Sequence, residues 1–157
     1  MQAFAVRKKW YSLAAPREAK DGSTVVHLLE WISCQMKQVT RSTFTSEAGA
    51  VLLSVDALMV LNLTMYELTY GPVTPTVAVD LMDNGGFAHE AIVATDAYNL
   101  LLALANSRLK APAERNWLVH LLWLREKIER GVLTDLWWFD TRDMTADGHT
   151  KGSIRRT

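Results

Sequence analysis

Three carboxylates stand where an α/β chain could use them for chemistry. Glu47 falls in what reads as the first turn of a long helical pattern. Asp96 closes an apolar, β-branched run at 89–95, and Asp147 lies in the tail beyond the last strand pattern. In open α/β sheets, ligands gather outside the carboxyl ends of strands. A hard divalent cation wants several oxygens converging on one point. Two such ions roughly 4 Å apart can activate a water and stabilise a leaving oxygen, as phosphodiester hydrolysis requires. Each residue also has an ordinary reading. Glu in a first helical turn is favourable on dipole grounds, Asp at a helix start is a common cap, and Asp147 before Gly148 suits a turn. Spacing alone leaves both readings open.

The elements that must position these residues follow from periodicity. Residues 1–23 read as an irregular lead-in, broken by Pro16 and by Asp21-Gly22. That dipeptide is a hairpin signal, for which 10–15 offers the only nearby first strand. The run 24–32 is β-branched and aromatic and predicts a strand, and 33–44 predicts an extended segment with a turn. From 45 to 70, Val51, Leu52, Val55, Leu58, Met59, Asn62, Met65 and Leu68 recur at steps of three and four. They predict a long central packing helix with one apolar stripe. Ser42, Thr43, Thr45 and Ser46 offer N-caps, and Gly71-Pro72 ends the element. Residues 72–88 read as loop, with a short strand or turn of helix at 76–80. A strand at 89–95 precedes a helix from Asp96, and Pro112 suits the first turn of the next. There Trp117, Leu121, Leu124 and Ile128 form a stripe that Gly131 stops, and 132–139 predicts the last strand. The tail 143–155 has room for a short helix. Strands alternating with helices indicate α/β architecture, a mixed or parallel sheet covered by helices. One domain over 24–157, after the lead-in, fits the length of 157 residues.

Composition excludes several classes. Lys plus Arg and Asp plus Glu are 17 each, so no global field marks a nucleic-acid partner. The single cysteine, Cys34, allows no internal disulfide and no cysteine-rich zinc site. It reads as a small buried hydrophobe, or simply a loop residue, in a reducing, intracellular setting, cytoplasmic or nuclear. No P-loop or GxGxxG occurs. The first 20 residues lack the apolar core of a signal peptide. Asp56 and Asn62 interrupt the most apolar stretch, which argues against a membrane span.

Four separated blocks carry a resemblance. In 30–48 they are Trp31, Ser33, Lys37, Gln38, Val39, Ser42, Thr43 and Glu47. The others are IVATDAYNLLLAL (92–104), LLWLREKIERG (121–131) and LWWFDTRDMTADGHTKG (136–152), the last with Ala146, Asp147, Thr150 and Lys151. In this order they resemble the ribonuclease H domain of copia-type retrotransposon Pol polyproteins. The resemblance implies a five-stranded mixed sheet whose first three strands are antiparallel. It implies cleavage of the RNA strand of RNA–DNA hybrids with Mg2+ or Mn2+, beside a reverse transcriptase domain in a longer polyprotein. It makes Glu47, Asp96 and Asp147 metal-binding carboxylates. His149 stands where the copia-type signature more usually has an apolar residue, and is a candidate for proton transfer or product release because ribonucleases of this fold often carry a mobile histidine near the last carboxylate. Lys37, Arg41, Arg142 and Lys151 are candidate phosphate contacts, with solvated surface charge the commoner explanation.

The chain departs from the family at its start. Members place a first catalytic Asp at the head of a first strand, well before the Trp31 block. Here only Glu18 and Asp21 precede Glu30, in a turn-like stretch. The expectation is therefore an N-terminally truncated domain, its first strand missing or degenerate, with little or no nuclease activity alone. The alternative is a non-catalytic remnant of such an element, with a binding function or none selected. Of Trp137, Trp138 and Phe139, Trp138 or its neighbours are expected in the core, packed beneath helices on each face, with an exposed Trp that stacks bases as the less favoured alternative.

Overall fold

A computed structural model describes residues 7–14, 27–35, 42–106 and 115–139, the first two segments by backbone alone. The chain divides into two compact units, Thr40–Met144 and a second built from Met1–Val39 with Thr145–Thr157.

In the second unit, strands β1 (Arg7–Ala14) and β2 (His27–Gln35) pair antiparallel, from Arg7 opposite Gln35 to Ala14 opposite His27. The register shifts between Ser12 and Leu13. The lead-in expected to be irregular thus holds a strand. Its basic start, Arg7-Lys8-Lys9, hides the apolar alternation that marks a strand. Its extended state depends on a partner some twenty residues on, which no local window contains. The Asp21-Gly22 signal lies between the paired strands, outside the described residues. So does the tail helix considered at 143–155, and the side chain of Cys34 is not described.

The larger unit runs α1 (Thr43–Tyr70), α2 (Pro75–Asn84), β3 (Ile92–Thr95), α3 (Tyr98–Ala105), α4 (Trp117–Glu129) and β4 (Asp135–Trp138). β3 and β4 pair parallel, from Ile92 opposite Asp135 to Thr95 opposite Trp138. Parallel neighbours need a crossover, which α3 and α4 supply. The result is a small α+β unit, a two-stranded parallel sheet flanked by four helices. Among the described residues, the parallel and antiparallel pairings of a mixed sheet occur in two separate two-stranded sheets.

α1 begins at Ser42, whose Oγ accepts the Thr45 N–H at 3.2 Å. It ends at Gly71, with φ +90° and an N–H that donates to the Glu67 carbonyl. It touches α2, α3, α4 and β3, so it is the central packing helix of its unit. The buried stripe runs through Thr45, Ala48, Val51, Val55 and Asn62. It fades toward the C-terminus, where Leu68 is 77% exposed rather than packed. α1 is long and apolar enough to cross a membrane by length and composition. Asn62 nevertheless sits buried against the unit, its Nδ2 donating to the His89 carbonyl at 3.4 Å.

Residues read as loop after Gly71-Pro72 form α2. Thr74 caps it by accepting the Val77 N–H, and Pro75 opens it. Pro at the first helical position loses no intrahelical bond and presets φ. Its apolar face is narrow, with Leu81 its one buried residue, which is why periodicity did not reveal it.

The core gathers Leu100 of α3, Leu121 and Leu124 of α4, Val55 of α1, and Val132 and Leu133 of the turn before β4, all nearly inaccessible. On α4 the expected stripe keeps Trp117, Leu121 and Leu124, with Ile128 half-buried. Lys127 is the unexpected member, buried with its ammonium donating to the Met82 carbonyl at 2.6 Å and to Asp83 Oδ1 at 3.0 Å. It fastens α4 to the end of α2.

Candidate functional site

β3 is four residues long, and Thr95 at its end is buried. The Thr95 hydroxyl accepts the Ala97 N–H at 3.1 Å, and the Tyr98 N–H donates to the Asp96 carbonyl at 2.9 Å. These bonds close a tight turn that leaves residue 96 exposed at the carboxyl end of β3. The cap position of α3 falls on Ala97, not on Asp96. Because β4 runs parallel, its carboxyl end lies at the same place, and the Phe139 N–H donates to the Thr95 carbonyl at 3.0 Å.

Glu47 approaches from α1. The helix starts at Thr43, two residues earlier than its periodicity suggested, so Glu47 lies past the first turn. The dipole benefit falls off within that turn, and Ser42 and Thr45 already satisfy the helix start, with Ser42 Oγ and Thr45 Oγ1 2.6 Å apart. The dipole explanation for an acid at 47 therefore loses most of its force. Half-burial, and then the negative charge of Asp96, hold the Glu47 carboxyl above its usual range. Two acids separated by about fifty residues are thus within electrostatic reach at the carboxyl end of β3.

Such a pair suits a hard cation. Carboxylate oxygens are the preferred donors of Mg2+, which is commonly held by one or two carboxylates and several waters. Among the described residues, no group of three or more His, Cys, Asp or Glu could hold a metal ion. Asp147 and His149 lie outside the described residues, as do Lys37, Arg41, Arg142 and Lys151.

The same end of the sheet carries aromatic side chains in an unexpected state. Trp137, Trp138 and Phe139 are 47%, 46% and 38% exposed, where packing beneath helices was expected. A strand must send neighbours to opposite faces, and helices flank these three too incompletely to cover either face. The Trp138 Nε1–H donates to the Asp96 carbonyl at 3.2 Å. Its ring meets Tyr98 edge-to-face with centroids 5.5 Å apart. Tyr98 is 51% exposed. Sequence reasoning took Tyr98 for an ordinary helix residue. The available signal was its place two residues after a strand-end acid, where a first-turn side chain stays near the strand's carboxyl end.

A cleft of about 310 Å3, lined by Leu101, Leu104, Arg125, Ile128, Asp135 and Leu136, opens elsewhere. Asp135 begins β4, so this cleft lies toward the amino ends of the strands, away from Asp96. No family model, no curated protein and no solved structure matches the chain.

Proposed function

We propose that this chain is a non-catalytic derivative of a ribonuclease H-type domain, which binds nucleic acid and holds a divalent cation weakly through Glu47 and Asp96. One observation carries the reading. The charge of Asp96, at the carboxyl end of β3, reaches the Glu47 carboxyl and helps raise it, and among the described residues no group of three or more His, Cys, Asp or Glu could hold a metal ion. The resemblance of the four blocks to copia-type domains supports it, as does β1, the described strand before the Trp31 block, which begins on Arg7 and carries no acid. A bound Mg2+ or Mn2+ would supply charge neutralisation for a phosphate drawn to this acidic end. Glu47 and Asp96 would hold it, with water completing the shell. With one ion and few protein ligands, neither the attacking water nor the leaving oxygen is held in line.

The second reading is a competent RNA–DNA hybrid nuclease acting beside a reverse transcriptase domain. The block 136–152 favours it, because its resemblance to the copia-type signature makes Asp147 a third metal-binding carboxylate beside Glu47 and Asp96.

A labelled RNA–DNA hybrid separates the two. The first reading expects hybrid binding that Mg2+ strengthens, with cleavage no faster than in the Asp96→Asn variant. Robust Mg2+-dependent hydrolysis that Asp96→Asn abolishes would overturn it and establish the second.

A further inference from the structure

We infer that Tyr98 and Trp138 form a stacking platform for an unpaired nucleobase at Asp96, whose backbone carbonyl accepts the Trp138 indole N–H. The inference rests on the nucleic-acid-binding reading and adds a subsite to it.

Three features of the pair point to stacking. Both rings are about half exposed, although aromatic side chains bury 150–250 Å2 when packed. They are also fixed. The Trp138 Nε1–H is held by the Asp96 carbonyl, and the edge-to-face contact with Tyr98 limits rotation of both rings. A ring ordered in advance loses little entropy when a ligand lands on it. Finally, the indole N–H is already used, so Trp138 offers its π face rather than a hydrogen bond. The neighbouring Trp137 is used likewise, its Nε1–H donating to Asp135 Oδ2 at 2.7 Å.

These features select the occupant. A surface that presents ring faces, with its indole donors internally satisfied, recognises flat aromatic ligands without reading their edges. Every nucleobase has a π face, and base–aromatic stacking tolerates sequence for that reason. Charge narrows the choice further. Asp96 and Glu47 repel a bare phosphate at this end of the sheet, whereas an uncharged base can stack on one exposed ring face, with the second ring, tilted 67° to the first, flanking its edge. A cation on the carboxylates would turn that repulsion into attraction for the adjoining phosphate. The platform and the acids would then take successive parts of one nucleotide. An unpaired base is required, because a base inside a duplex exposes no face for a side chain to cover.

The experiment is an equilibrium titration of the full chain with two sets of fluorescein-labelled oligonucleotides in Ca2+. One is a single-stranded DNA and an RNA–DNA hybrid with a single-stranded overhang. The other carries abasic sites scanned along the overhang. Stacking of one base contributes ~1–3 kcal/mol, so Tyr98→Ala and Trp138→Ala should each weaken binding roughly 5- to 150-fold. An abasic site at one or two positions should weaken the unaltered chain by a similar factor, and leave Tyr98→Ala nearly unaffected. Tyr98→Phe keeps the ring and should restore binding. The abasic scan on Tyr98→Ala keeps the test decisive should Trp138→Ala fail to fold. Equal sensitivity of Tyr98→Ala and the unaltered chain to abasic sites would overturn the platform while sparing nucleic-acid binding. Failure of the unaltered chain to bind any of these oligonucleotides would overturn both.

Discussion

Replacing Glu47 by Gln should stabilise the fold at neutral pH and loosen its hold on divalent cations. Burial, and behind it the charge of Asp96, keep the Glu47 carboxyl above its ordinary value of 4.5. A carboxyl with a raised folded pKa binds its proton more tightly in the native state than in the unfolded one. The stability linked to it is therefore greatest at acid pH. It falls as pH rises from the unfolded value through the raised folded one. Gln is close to the protonated acid in shape and charge, so it escapes that loss. Glu47 is half-buried and Asp96 is exposed, so water screens the repulsion, and the gain belongs with surface pairs at about 0.2–1 kcal/mol. For a unit of roughly a hundred residues, this raises Tm by about 1–8 °C. The gain should vanish at acid pH, where Glu47 is protonated in both states, and should shrink in high salt. Thermal unfolding from pH 4 to 8, with and without 10 mM Mg2+, reads all of this. The unaltered chain should gain stability from Mg2+ by mass action, and Glu47→Gln should gain less. A Gln variant that is less stable at pH 7, or shifted equally at every pH, would refute the raised Glu47 carboxyl.

Two further substitutions test the frame that holds the site. Lys127→Ala removes the bond to the Met82 carbonyl and three buried methylenes. At about 0.8 kcal/mol per methylene and ~1.5–3 kcal/mol for the charged hydrogen bond, the loss is about 4–5 kcal/mol. Lys127→Met keeps most of the apolar stem and should lose about half as much in urea unfolding; equal losses would mean that the stem is not packed. Gly85→Ala should cost about 2 kcal/mol or more. Gly85 has φ +78°, and an added Cβ would stand 2.9 Å from the carbonyl oxygens of Arg130 and Gly131. Gly71→Ala is the matched control, at φ +90° with open space around its Cβ. It should cost less by the same assay.

Local chemistry made much of the larger unit legible. The three-and-four spacing from Val51 to Asn62 defines a buried stripe in any helix. Ser42 and Gly71 are residues whose side chain, or lack of one, suits a helix end. The apolar run before Asp96 and the stripe Trp117, Leu121, Leu124 likewise carry their periodicity on their face. The misreadings were non-local. β1 is a strand because β2 pairs with it, and a basic segment shows little of that in isolation. α2 offered a Thr-Pro start but almost no apolar face. Lys127 is buried because a carbonyl and a carboxylate from α2 meet its ammonium, partners some forty-five residues away.

The candidate site divides along the same line. Sequence alone determined that Glu47 would sit early in a helix and that Asp96 would follow a strand, because both depend on neighbours within one or two turns of chain. Only the tertiary structure decided that these acids perturb each other. It also decided that Tyr98 and Trp138 stand exposed beside them. Proximity and burial depend on how α1 crosses β3 and on how far the helices cover the sheet. Those are properties of packed elements, which no segment possesses by itself.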